Sequence, residues 1–256
     1  MDGGNLFGLR KEAERKQTMF LCEETEKLDY DVFGVGSNEL NYGLEFLREM
    51  EAKHSLKFIS ANLRDGRGDL LFEPWTTVES GGVKFAFISV IAPRYKIVTM
   101  TADNDEFVID DPREAIERHL PEMQQAADIV VLLAQMPSAS VREMLTGMGP
   151  GSGIDICIEG RDARQYRRIN RVNGDVILLA ANNEGKYVGQ LDLVLGDDKS
   201  IQDAVVTVHA LDDNAPEVKE LREKVDKFKA ENGEAVVQVE SFTHSRGYGE
   251  SSEKFL

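Results

Sequence analysis

The polar residues best placed to do chemistry in this chain lie in short loops that each follow an apolar, strand-like run. Gly36-Ser37-Asn38-Glu39 follows Tyr30-Asp31-Val32-Phe33-Gly34-Val35, Gln135 closes the run that begins at Ile129, and Gly160-Arg161-Asp162-Ala163 follows Ile154-Asp155-Ile156-Cys157-Ile158. Asp2-Gly3-Gly4-Asn5 forms a further Gly-rich turn. One chemistry open to such loops is two-metal phosphoester hydrolysis, in which ions held roughly 3.5–4 Å apart generate hydroxide and clamp phosphoryl oxygens. Two cations that close need anionic or imidazole donors. Asn5 and Gln135 are neutral amides, Ser37 is a poor ligand, and Ala163 offers nothing. Arg161 carries a charge that cannot be removed and would repel a cation. His54, His119, His209 and His244 fall in no His-x-His or Glu-x-x-His pairing and read as ordinary histidines.

Taken in order, these segments resemble the landmarks of the calcineurin-like metallophosphatases, in their 5'-nucleotidase branch. Asp2-Gly3-Gly4-Asn5-Leu6-Phe7 is similar to an Asp-Ala-Gly-Asp-Leu-Phe turn whose second Asp bridges the metals; Asn5 stands there. Gly36-Ser37-Asn38-Glu39-Leu40-Asn41-Tyr42-Gly43 resembles a Gly-Asn-His-Glu-Phe-Asp-Tyr-Gly loop. In that loop the Asn binds metal and the His protonates the leaving group; Ser37 and Asn38 occupy those places. Gln135 replaces a His that ends a strand, and Arg161 and Ala163 replace the two His of a Gly-Gly-His-Thr-His segment. Gly185-Lys186-Tyr187-Val188-Gly189-Gln190-Leu191-Asp192 is similar to the Gly-Lys-Tyr-Leu-Gly-Arg-Leu-Asp strand that closes the domain. The resemblance implies an α/β fold, a sandwich of mixed β-sheets flanked by helices in four αββα layers. It also implies a vestigial site of Asp2, Asn5, Ser37, Asn38, Glu39, Gln135, Arg161 and Ala163 with no catalytic residue, no metal and no other cofactor.

Arg161, Arg164, Arg167, Arg168 and Arg171 fall within eleven residues of a strongly acidic chain. They can neutralise nearby acids on a strand-and-loop face. Arg161 can instead supply charge where metals would sit, among Asp2, Asn5, Asn38 and Glu39, and hold the site shut. A third reading is that Arg161, Arg164, Arg167 and Arg168 receive a small anion, since guanidinium presents a fork suited to phosphate or carboxylate.

The 256 residues, 41% hydrophobic and 30% charged, suffice for a substantial core. A net charge of −16 argues against general nucleic-acid binding, which needs clustered Lys and Arg, and no apolar run reaches membrane-spanning length. Cys22, in a helical stretch, and Cys157, in a buried strand, read as small hydrophobes without a disulfide. No signal-peptide pattern opens the chain, while the family resemblance implies a periplasmic or extracellular parent. The family's first strand, with its Asp-x-His pair, has no counterpart here, so a fragment or late start is expected. Residues 1–230 are expected to form the domain and 231–256 a tail or linker. Glu253-Lys254-Phe255-Leu256 resembles the sequence before a cytochrome-like module in nucleotidase-like fusions, so a fused module or protein partner is expected.

Alternation of strands and helices supports the α/β class. Helices are expected over 9–28, 44–53, 111–127 and from 214, the third with Asp111 as cap and Pro112 at its first position. Residues 72–78 and 83–90 read as a hairpin about Gly81-Gly82. The apolar runs 129–133 and 154–158 read as strands covered on both faces, and 176–180, 187–195 and 204–209 as further strands. Three functions follow: a catalytically inactive structural or interaction module, a phosphoesterase with a remodelled site, or an anion- or nucleotide-binding domain.

Overall fold

The computed structural model describes residues 1–8, 12–93, 107–161, 168–180, 185–212 and 215–233. The chain separates into two compact units, Met1–Glu217 and Val218–Leu256. In chain order the first unit holds α1 (Glu12–Thr25), β1 (Phe33–Gly34), α2 (Leu44–Lys53), β2 (Phe58–Ile59), β3 (Leu63–Arg64), β4 (Trp75–Ser80), β5 (Val83–Ile91) and β6 (Val108–Ile109). It continues with α3 (Pro112–Ala126), β7 (Ile129–Pro137), α4 (Ser138–Met148), β8 (Ile156–Arg161), β9 (Asn170–Val172), β10 (Val176–Leu179), β11 (Tyr187–Leu195) and β12 (Ile201–Ala210). In the second unit, α5 (Lys219–Asn232) is an exposed helix with no buried residue.

The central sheet runs β4-β5-β7-β8-β10-β9. Its four inner strands are parallel, and β4 and β9 are antiparallel edges. The alternation of side chains along a strand shows why its middle must be apolar throughout. Val130, Leu132 and Ala134 of β7 pack with Ile116, Leu120 and Met123 of α3 and Val141 and Leu145 of α4. Ile129, Val131 and Leu133, on the opposite face, pack with Val32, Ile59 and Ala204 from a second layer. That layer contains β1 paired with β2 in parallel and the separate antiparallel hairpin β11–β12. Its outer side near β1 is covered by α1 and α2, through Cys22, Phe46, Leu47 and Met50 against Phe33 and Phe58. Helix, sheet, sheet and helix follow one another, as the sequence resemblance implies.

Local signals act as their chemistry requires. Asp111 accepts a 3.1 Å hydrogen bond from the Glu114 N–H and caps α3, with Pro112 in the first helical turn. Gly81 and Gly82 take φ of 59° and 78°, the positive pair that a two-residue hairpin turn demands. Among the described residues no helix is long and apolar enough to cross a membrane.

Candidate functional site

The loops singled out by the sequence meet at the carboxyl ends of β1, β7 and β8. Asp2 bridges Phe33 in parallel: its N–H reaches the Val32 carbonyl at 3.0 Å, and its carbonyl accepts from Gly34 at 2.9 Å. The turn that follows therefore starts where β1 ends. Gly4 has φ of +104°, and a Cβ there would stand 2.7 Å from the Gly34 carbonyl oxygen and 2.9 Å from the Gly36 nitrogen. A Cβ on Gly160 would stand 2.8 Å from the Gly3 oxygen and 2.9 Å from Gln135 Nε2. These approaches are possible only for residues without side chains.

Hydrogen bonds join the loops directly. Asn5 has a left-handed backbone, φ of 66°, which Asn tolerates better than most residues. Its Oδ1 accepts from the Asn38 N–H at 3.0 Å, with Ser37 Oγ at 3.5 Å from the same oxygen. Gln135 donates from Nε2 to the Gly160 carbonyl at 3.1 Å, while its Oε1 is buried with no hydrogen-bond partner among the described residues. Glu39, fully buried, accepts the N–H of Gly36 at 2.7 Å, of Asn5 at 2.9 Å and of Phe7 at 3.1 Å. The Phe7 ring packs edge-on against Phe46 and Phe58, with centroids 5.9 and 6.0 Å away, so the same turn is pinned from its apolar side.

Burial dominates the electrostatics. It pushes the Glu39 carboxyl up to about 7, against the opposing pull of its three amide donors and with a further upward push from Asp2. Burial also raises Asp2, which is partly held down by the Gly4 N–H, 2.8 Å from Oδ1, and by the amino terminus. The Cys22 thiol is pushed up to about 12 by burial and by the charge of Glu39.

Asp2, Asn5, Ser37, Asn38, Glu39 and Gln135 are thus brought together, and Arg161 ends the neighbouring β8, half-buried and in register with Pro137. Glu39 makes its hydrogen bonds to backbone amides and forms no ion pair with a cation among the described residues, so an Arg161–Glu39 pair is not what satisfies this carboxylate. Ala163, Arg164 and Arg167 lie outside the described residues, and Arg168 is exposed just before β9. Sequence reading passed over Glu159, which is buried and accepts from Ser138 Oγ at 3.0 Å. A charged residue at the end of a continuous apolar strand was the available signal. The donor set does not fit a dinuclear metal centre. Two of its members are neutral amides turned to neighbouring backbone, and among the described residues no three His, Cys, Asp or Glu side chains converge in a way that could hold a metal ion.

No family model matches the chain. It is 29% identical over 118 residues to the 2',3'-cyclic-nucleotide 2'-phosphodiesterase/3'-nucleotidase of Salmonella typhimurium, a match covering 42% of this chain and 18% of that protein. It is 25% identical over 198 residues to the trifunctional nucleotide phosphoesterase protein YfkN of Bacillus subtilis, covering 66% of this chain and 13% of that one. The sulfate thiohydrolase SoxB of Thermus thermophilus superposes with a TM-score of 0.78 at 19% identity, over 90% of this chain and 42% of that one. The calcineurin-like phosphoesterase YfkN structure from Bacillus subtilis gives 0.71 at 20% identity, over 92% and 84%. The chain has the calcineurin-like phosphoesterase fold and is similar in sequence to nucleotide phosphoesterases. These matches span less than a fifth of either curated relative's length, at 18% and 13%.

Proposed function

We propose that this calcineurin-like domain has no hydrolytic chemistry and serves as a structural or interaction module of a larger protein. The observation that carries this reading is the use made of the site's side chains. Asn5 and Gln135 each bond the backbone of a neighbouring loop, and Glu39 gathers three amides from two loops. Cross-loop hydrogen bonds thereby do the holding that bridging ions do in a two-metal site. Neutral amides in place of carboxylate and imidazole also remove the charge that would draw a second cation.

Elemental analysis of the purified domain together with hydrolysis assays tests this. The domain should hold no stoichiometric Mn, Zn or Fe and should not cleave nucleotides or an aryl phosphate above background. Two metals per chain, with activity abolished by a chelator, would overturn the reading. A rise in melting temperature with phosphate or a nucleotide, without turnover, would move it to an anion-binding domain.

A further inference from the structure

The turn that follows β3 carries Arg67-Gly68-Asp69 at its tip, three consecutive exposed residues. Its backbone is fixed by its own hydrogen bonds. The Asp65 N–H donates to the Asp69 carbonyl at 3.0 Å, and the Gly68 N–H donates to the Asp65 carbonyl at 3.0 Å. Asp65 Oδ1 accepts the N–H of Arg67 at 2.8 Å and of Asp69 at 3.0 Å. Arg64, paired with Asp110 through Nε at 2.5 Å, reaches the Gly68 carbonyl from Nη1 at 2.8 Å. At the base, the Leu71 N–H donates to the Leu63 carbonyl at 3.0 Å, and β3 pairs with β6. Gly68 takes φ of +92°, and a Cβ built there would meet nothing within 4 Å. Conformation, not crowding, calls for glycine at this position, and the space above it is open to an approaching surface.

Among the described residues neither the Arg67 guanidinium nor the Asp69 carboxylate enters a hydrogen bond or an ion pair. The turn thus displays a cation and an anion, one glycine apart, on a backbone already ordered, so little further ordering is needed when it binds. Each group has a preferred receiver. A guanidinium forks onto a carboxylate, with two parallel hydrogen bonds. An exposed carboxylate gains little from a lone Lys or Arg in water, but it is a hard oxygen donor for a divalent cation that keeps a coordination position open. We infer that this turn is itself a ligand, docking on a receptor protein that coordinates the Asp69 carboxylate through a divalent cation and seats the Arg67 guanidinium on a carboxylate. This rests on the proposed role as an interaction module and gives that role a surface and a partner chemistry.

The test immobilises the full 256-residue chain and titrates it, with Mn²⁺ present, with the ectodomain of an integrin that binds the linear peptide Gly-Arg-Gly-Asp-Ser. Binding should saturate at one receptor per chain, fall at least tenfold when a chelator removes the ion, and be displaced by the free peptide. Asp69→Glu keeps the charge and moves it by one methylene, and Arg67→Lys keeps the charge and loses the fork. Each should weaken binding at least tenfold. Both side chains are exposed, so both variants should melt at the wild-type temperature. Absence of saturable binding, binding that survives the chelator, or equal binding by Asp69→Glu would overturn the proposal. Metal content and hydrolysis measured on the chain alone separate the two readings. Receptor binding by a chain that also shows metal-dependent turnover defeats the non-hydrolytic role and leaves the turn as a ligand, whereas no binding and no turnover does the reverse.

Discussion

Glu39 shows how one buried side chain can tie two loops of this scaffold together. Its carboxylate, fully buried, organises two loops through three backbone amides, and its pKa of about 7 follows mainly from that burial. The consequence for stability has a definite sign. An unfolded glutamate titrates near its ordinary value of 4.5, so between there and about 7 the folded chain retains a proton that the unfolded chain has lost. The stabilising contribution is complete below about 4.5 and is lost as pH rises through about 7. The full swing is on the order of 3 kcal/mol. Denaturant unfolding at pH 5 and pH 8 should show wild type losing more stability across that interval than Glu39→Gln, whose side chain does not titrate. Because a glutamine amide cannot accept three N–H bonds, Glu39→Gln should also be less stable at pH 5 by about 1–3 kcal/mol. Equal pH slopes for the two proteins would defeat this account. The sequence flagged Glu39 as part of a vestigial site, but its bonding was not legible there, since it depends on the backbone of residues five to seven meeting residue 36.

At the scale of elements, the parts legible in the sequence were those whose signal is local. The apolar run of β7, the Asp111-Pro112 start of α3 and the Gly81-Gly82 turn each carry their own physical cause. α4 carries none of comparable strength: it begins directly after Pro137 without a side-chain cap, buries only Val141 and Leu145, and contains Gly147. Tertiary packing on β7 and β8, not propensity, accounts for it. The contrast between two glycines turns this into a measurement. Gly160→Ala places a methyl 2.8 Å from the Gly3 carbonyl oxygen, a backbone atom with no room to yield, and should destabilise by about 1–3 kcal/mol. Gly147→Ala meets only the mobile end of Arg113 at 3.3 Å and should stabilise α4 by roughly 0.5–1 kcal/mol. Thermal unfolding of both variants checks the pair, and a neutral Gly160→Ala would mean that the loops at the site are not in the close contact described.

For the molecule as a whole, fold and chemistry separate. The calcineurin-like layers are held by cores on both faces of the central sheet, and that packing does not depend on the polar residues at the loop ends, so the fold by itself does not fix the chemistry of the site. The charge balance of the whole chain sets a different kind of behaviour. At −16, with a pI near 4.7, the folded chain repels itself at neutral pH. Its ion pairs offset little of this: the helical pairs Arg113–Glu117, Lys219–Glu223 and Lys227–Glu231 are all exposed. Added salt screens the net repulsion over distances longer than these pairs span. The melting temperature at pH 8 should therefore rise as sodium chloride is increased from about 10 mM to about 500 mM, while the Debye length falls from roughly 30 Å to a few ångström. Near pH 5, where the net charge approaches zero, the same titration should produce a much smaller change. A melting temperature that falls with salt at pH 8 would show that attractive pairs outweigh the net charge.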